Sequence, residues 1–160
     1  SIAPRETTAT LTARLADLGA ALLLRTLPAW LSDEIAPRPQ DESLASYAPP
    51  IGKEDGAIDW SRPAEEIDRQ IRAYTPWPGA YCGCRGVMLK VLRAHPLPDW
   101  RGEALPGQVV QCGAAEIAVA TGAGLLVLDE VQLAGRRAME AFAFACGRGD
   151  FVGSLLTPTC

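Results

Sequence analysis

The chain has 160 residues, 48% of them apolar and 21% charged, a composition that supports one ordinary core with an appendage and leaves little room for two full domains. No apolar run reaches the length needed to span a bilayer. A formal net charge of −4 excludes the footprint of a strongly basic nucleic-acid binder, although the charge is unevenly spread. Residues 1–60 carry 5 basic and 9 acidic side chains, or −4, while residues 61–101 carry 7 against 4, or +3.

The chain starts at Ser1 rather than Met, and Ser-Ile-Ala-Pro-Arg-Glu has neither the basic start nor the apolar centre of a signal peptide, so it reads as cut from something longer. Thr8 to about Leu31 is predicted to be one amphipathic helix. Leu11, Leu15, Leu18 and Leu22 share a face that Leu23, Leu27 and Trp30 widen, with Pro28 placed to bend or end it. That stripe requires a partner, either a helix at 62–74 or a second copy of the chain.

An irregular stretch follows. Pro49, Pro50, Gly52 and Gly56 cannot sustain a helix. A second helix is expected from Ser61, the predicted N-cap, with Pro63 in the first turn and Glu65 and Glu66 at the positive end of its dipole. Ala64, Ile67, Ile71 and Tyr74 would form its apolar face, and Pro76 would stop it. Pro76-Trp77-Pro78-Gly79 then reads as a rigid corner whose tryptophan is expected to be buried.

From Ala80 the apolar period changes to two. Runs at about 87–94, 107–112, 116–121 and 124–133 are separated by turn residues such as Pro96-Leu97-Pro98-Asp99 and Gly122-Ala123-Gly124. Without crossover helices between them, they predict a small antiparallel barrel over 80–135, five-stranded and OB-like. The fold class is thus mainly β with flanking helices. Arg137 to Cys146 reads as a last helix, ending at Gly147.

Five cysteines, Cys82, Cys84, Cys112, Cys146 and Cys160, make an odd number in a chain long enough to do without disulfides, which points to free thiols and a cytoplasmic location. Cys82 and Cys84 have no second pair to complete a zinc site. His95, the one histidine, lacks the neighbours a general base needs and reads as an ordinary strand-end residue. Thirteen of the fifteen basic residues are arginine, which suits phosphate contacts but also reflects a GC-biased composition.

A set of landmarks in order carries a resemblance: Pro39-Gln40-Asp41-Glu42, Tyr47-Ala48, Lys53-Glu54, Ile58-Asp59-Trp60-Ser61, Ile71-Arg72-Ala73 and Pro76-Trp77-Pro78-Gly79-Ala80. It continues through Leu89-Lys90, Pro106-Gly107, Val119-Ala120-Thr121-Gly122, Gln132 and Ala134-Gly135-Arg136-Arg137-Ala138-Met139. Together they resemble the C-terminal half of the methionyl-tRNA formyltransferase family. The resemblance implies a two-domain enzyme whose N-terminal α/β domain uses 10-formyltetrahydrofolate as cosubstrate to formylate methionyl initiator tRNA, with a C-terminal OB-like barrel that helps hold the tRNA.

On that footing, residues 1–45 are the terminal helix and tail of the cofactor domain, 46–57 a linker and 58–160 the barrel domain. The Asn, His and Asp motifs of formyl transfer lie in the family's N-terminal half and do not occur here. The resemblance therefore implies no catalytic or cofactor-binding residue in this chain, and an inactive piece on its own. The implied partners are initiator tRNA and the absent N-terminal domain, with self-association through the N-terminal helix as another way to cover its stripe.

The resemblance implies a tRNA-binding role for Lys53, Arg136 and Arg137, and Arg72, Lys90 and Arg93 are weaker candidates for the same role. Arg136 and Arg137 follow a glycine at an expected strand-to-helix junction, where their charges oppose the helix dipole and local stability does not explain them. No aromatic ladder appears, so backbone and shape recognition of a folded RNA is the expected mode. Two alternatives stay open: a purely structural domain that supports the cofactor domain, and the barrel of a related formyltransferase acting on a sugar nucleotide or a folate.

Overall fold

Val87–Leu97 buries Leu89, Val91 and Ala94 and is the longest strand among the described residues. In the computed structural model, which describes residues 1–158, the chain divides into two compact units, Ser1–Ile51 and Gly52 onward. Cys160 lies outside the described residues.

The first unit is dominated by α1, Thr8–Leu31. Thr7 caps it reciprocally with Thr10, each side chain accepting from the other's backbone N–H. Pro28 lies in the last turn and does not end the helix there. No residue of α1 is buried, and Leu15, Leu18 and Leu22 are each more than half exposed. A short 3-10 turn at Glu42–Leu44 follows in otherwise irregular chain.

In the second unit, a 3-10 turn at Glu54–Gly56 leads to α2, Ala64–Ala73, and then to β1 (Ala80–Cys84), β2 (Val87–Leu97), β3 (Val109–Gln111), β4 (Ile117–Ala120), β5 (Leu125–Leu133), β6 (Met139–Glu140) and α3 (Ala141–Cys146). The sheet order is β1-β2-β5-β4-β3, every pair is antiparallel, and β6 adds to β5. Segment 153–157 laces the two outer strands: Thr157 exchanges backbone hydrogen bonds with Gly83, Leu156 N–H donates to Gly107 O, and Gly153 N–H donates to Val109 O. This closes a small antiparallel barrel.

The main core joins Ile67 and Ile71 of α2 to Leu89, Val91, Ile117, Val119, Leu126 and Val131 of the strands and to Phe144 and Phe151. Residues of β4 and β5 on the opposite face, Ala118, Ala120, Leu125 and Val127, form a second cluster covered by Trp100.

Several local expectations are corrected. Ser61 does not cap α2; its N–H and hydroxyl both donate to Asp59, holding that carboxyl below the usual range, and Pro63 takes the cap position. Pro96 is not in a turn but pairs with Leu126 inside β2. β1 pairs with β2 only as far as Val91, so the missing N–H of Pro96 is not needed on that side. The last helix starts at Ala141 rather than Arg137, because Met139 and Glu140 stay extended to pair with Val131 and Glu130. Trp77 is 55% exposed instead of buried.

A candidate phosphate-binding face

Tyr81, Lys90 and Gln132 stand side by side across β1, β2 and β5, set by the register Tyr81↔Lys90 and Lys90↔Gln132. Their strand neighbours Cys82, Leu89, Val91, Val131 and Leu133 point into the core, so the alternation puts this row on the outer face.

Each end of the row holds a loop. At the β5 end, the Gln132 side-chain amide donates to Arg136 O at 2.9 Å, and Arg136 N–H donates to Leu133 O at 2.9 Å. These bonds shape a turn through Gly135, whose φ of 73° favours glycine. At the β1 end, the Glu54–Gly56 turn packs against Tyr81. Ile58 N–H donates to Tyr81 O at 2.8 Å, and a Cβ on Gly56 would stand 2.2 Å from Gly79 O and 3.1 Å from the Tyr81 ring. Only glycine permits that approach. The Gln70 amide clamps the same turn by donating to Asp55 O and Ala57 O.

Lys53 precedes this turn and is exposed. The side chain of Lys90 reaches toward the corner, where a Cβ on Gly79 would stand 3.9 Å from its Nζ. Arg136 and Arg137 are exposed in the β5–β6 turn. The contacts therefore run without a break from the Lys53 turn through Tyr81, Lys90 and Gln132 to the Arg136 turn. Among the described residues none of Lys53, Lys90, Arg136 and Arg137 forms an ion pair.

Arg72 does not join them. Its Nε donates to Asp68 at 3.0 Å, and the two side chains are only 18% and 8% exposed. Arg93 is held between Asp129 and Glu130 at 3.8 and 3.7 Å. His95 Nδ1 lies 3.0 Å from Asp129, a partner 34 residues away that the sequence reading missed. Arg148 was also passed over: it follows α3, lies 5.1 Å from the centre of the Phe144 ring and has no carboxylate partner among the described residues. Burial pushes the nearby Cys84 thiol up, against the pull of Arg148 and Arg85.

The second unit is thus an antiparallel barrel that carries Lys53, Lys90, Arg136 and Arg137 without ion pairs among the described residues, and among those residues no group of acids, histidines and cysteines could hold a metal. Residues 50–149 match the family described as formyl transferase, C-terminal domain.

The chain is 45% identical to a methionyl-tRNA formyltransferase of Heliobacterium modesticaldum, with 92% of this chain and 49% of that protein covered, and 46% identical to one of Thermus thermophilus, with 97% and 49% covered. It belongs to the formyl transferase C-terminal domain family, is similar to the C-terminal half of methionyl-tRNA formyltransferases, and spans about half the length of the curated relatives it matches. The fold is shared with HypX from Aquifex aeolicus, at a TM-score of 0.66 and 19% identity over 93% of this chain and 27% of that one. A HypX structure in complex with tetrahydrofolic acid gives a TM-score of 0.60 over 81% of this chain. Among the described residues no helix is long and apolar enough to cross a membrane.

Proposed function

We propose that this chain is the tRNA-docking half of a cytoplasmic methionyl-tRNA formyltransferase, an enzyme of translation initiation that moves a formyl group from 10-formyltetrahydrofolate to the amino group of methionyl initiator tRNA. The transfer residues and the folate site belong to the N-terminal half of such an enzyme. The barrel, read as OB-like, supplies Lys90 from its sheet and Lys53, Arg136 and Arg137 from the turns at the ends of the row. The observation that carries this reading is the row from the Lys53 turn through Lys90 to Arg136 and Arg137, exposed at both ends and free of carboxylate partners. Unpaired cations can contact the phosphates of a folded RNA without reading its bases.

Arg72, committed to Asp68, is left out of the contact set. The apolar stripe of α1 is assigned to the N-terminal half or, in its absence, to a second copy of the chain.

NMR of the isotopically labelled chain titrated with initiator tRNA tests the proposal. The amide signals of Lys53, Lys90, Gln132 and Arg136 should move together, while those around Arg93 and His95 stay in place. Movement confined to the Arg93 end, or none, would transfer the case to a purely structural domain.

A further inference from the structure

Behind the β5–β6 turn, a cavity of about 340 Å³ opens between that turn and α3, with Arg136, Arg137 and Arg148 on its walls and Leu133, Met139 and Phe144 beneath them. Its size is at the lower end for small-ligand sites.

Three arginines line it, and among the described residues none is paired with a carboxylate. Asp150, two residues from Arg148, is taken by Arg85. Like charges gathered in a concavity repel, so an anion at their focus would stabilise the arrangement. The floor is not that of a bare phosphate site. Leu133 and Phe144 are 8% and 6% exposed, Met139 is 42% exposed, and the Arg148 guanidinium is already 5.1 Å from the Phe144 ring centre. A guanidinium resting on a ring offers its outer face as a stacking surface, and flat bases stack on such surfaces.

We infer that this cavity binds one unstacked RNA nucleotide, its phosphate held by Arg136 and Arg137 and its base laid on Arg148 and the apolar floor. The inference rests on the RNA-docking reading, since Arg136 belongs to both the row and the cavity. It adds a base-stacking residue, Arg148, to a face otherwise limited to phosphates.

The probes are AMP and inorganic phosphate, titrated separately into the labelled chain, followed by initiator tRNA. AMP should move the amides of Met139, Gly147 and Arg148 saturably and bind roughly tenfold more tightly than phosphate, the worth of one base stack. Arg148→Ala should reduce AMP to the level of phosphate, and Arg148→Lys should keep phosphate binding without restoring the preference. Both changes are at an exposed position, and an unchanged amide spectrum elsewhere establishes that the variants are folded. Equal binding of AMP and phosphate by the parent, or an Arg148→Ala variant that still prefers AMP, overturns the inference. If the AMP preference is absent while tRNA still moves the Lys53, Lys90 and Arg136 signals, the cavity is refuted and the docking face stands. If AMP is preferred and tRNA moves nothing, the cavity is a mononucleotide site and the inference that it takes a nucleotide of RNA falls together with the docking face.

Discussion

Removing two of the four unpaired cations should change how binding responds to salt in a way that counts contacts. With Lys53, Lys90, Arg136 and Arg137 each neutralising one phosphate, four counterions are released, and the slope of log K against log salt is about −3.6. Raising salt fourfold, from about 50 to about 200 mM, would then weaken tRNA binding about 150-fold. An Arg136→Ala, Arg137→Ala double variant leaves two contacts, a slope of about −1.8 and a loss of only about 12-fold over the same range. Both side chains are exposed and unpaired, so the melting temperature should scarcely move. Fluorescence anisotropy with labelled initiator tRNA at four or five salt concentrations measures both slopes. An Arg93→Ala variant is the control, because Arg93 is already engaged by Asp129 and Glu130. Equal slopes for the parent and the double variant would refute the count and remove Arg136 and Arg137 from the interface.

A Cβ on Gly122 would stand 1.8 Å from Ser61 O, so Gly122→Ala should lower stability by about 2–4 kcal/mol in urea melts, whereas Gly149→Ala, with nothing within 4 Å, should be neutral. The Arg14 guanidinium, 2.7 Å from Glu6, holds that carboxyl down to about 2. Because the folded value lies below the ordinary one near 4.5, the contribution of Glu6 is complete above that range and disappears as pH falls toward about 2. A carboxyl NMR titration should show the low value in the parent and its return to the ordinary range in Arg14→Met. The exposed Leu15, Leu18 and Leu22 should make the isolated chain self-associate, since each buried leucine contributes about 1.5–3 kcal/mol. Sedimentation should find the parent dimeric at micromolar concentration and a Leu18→Glu, Leu22→Glu variant monomeric, and a monomeric parent would contradict the argument.

Much of the fold was legible because its signals are local. The 3.6-residue period gave α1 and α2, and the change to period two gave β2, β4 and β5 at nearly their true positions. The failures are non-local. β6 is only Met139–Glu140, too short for a period, and it is extended because β5 offers Glu130 and Val131 as partners. Segment 153–157, with Gly153 and Ser154, carries no strand period of its own and acquires its role only when β1 and the start of β3 offer it backbone partners. The His95–Asp129 contact depends on the β2–β5 register and on irregularities between Val91 and Ala94, which no spacing rule reveals. Arg72 is different: its separation from Asp68 is the ordinary helical i, i+4 pairing, so the signal that removes it from the site was present in the sequence.

The net charge of −4 opposes an RNA partner only as a total, and β2 and β5 show why the total is the wrong quantity. At one end of this strand pair, Arg93 lies between Asp129 and Glu130, and His95 lies beside Asp129, so the cation there is offset by acids. At the other end, Lys90 faces the uncharged Gln132, and Gln132 fixes the turn that carries Arg136. The same two strands thus carry one half whose cation is offset by acids and one half with an unpaired cation. At physiological ionic strength charges farther apart than about 8 Å are largely screened, so acids on other parts of the surface do little to the field above Lys90 and Arg136. A polyanion arriving at that end meets positive charge whatever the sum over the chain. Substituting Gln132 with glutamate should therefore weaken docking more than adding an acid at any exposed position outside the row, because it would place a carboxylate directly beside Lys90.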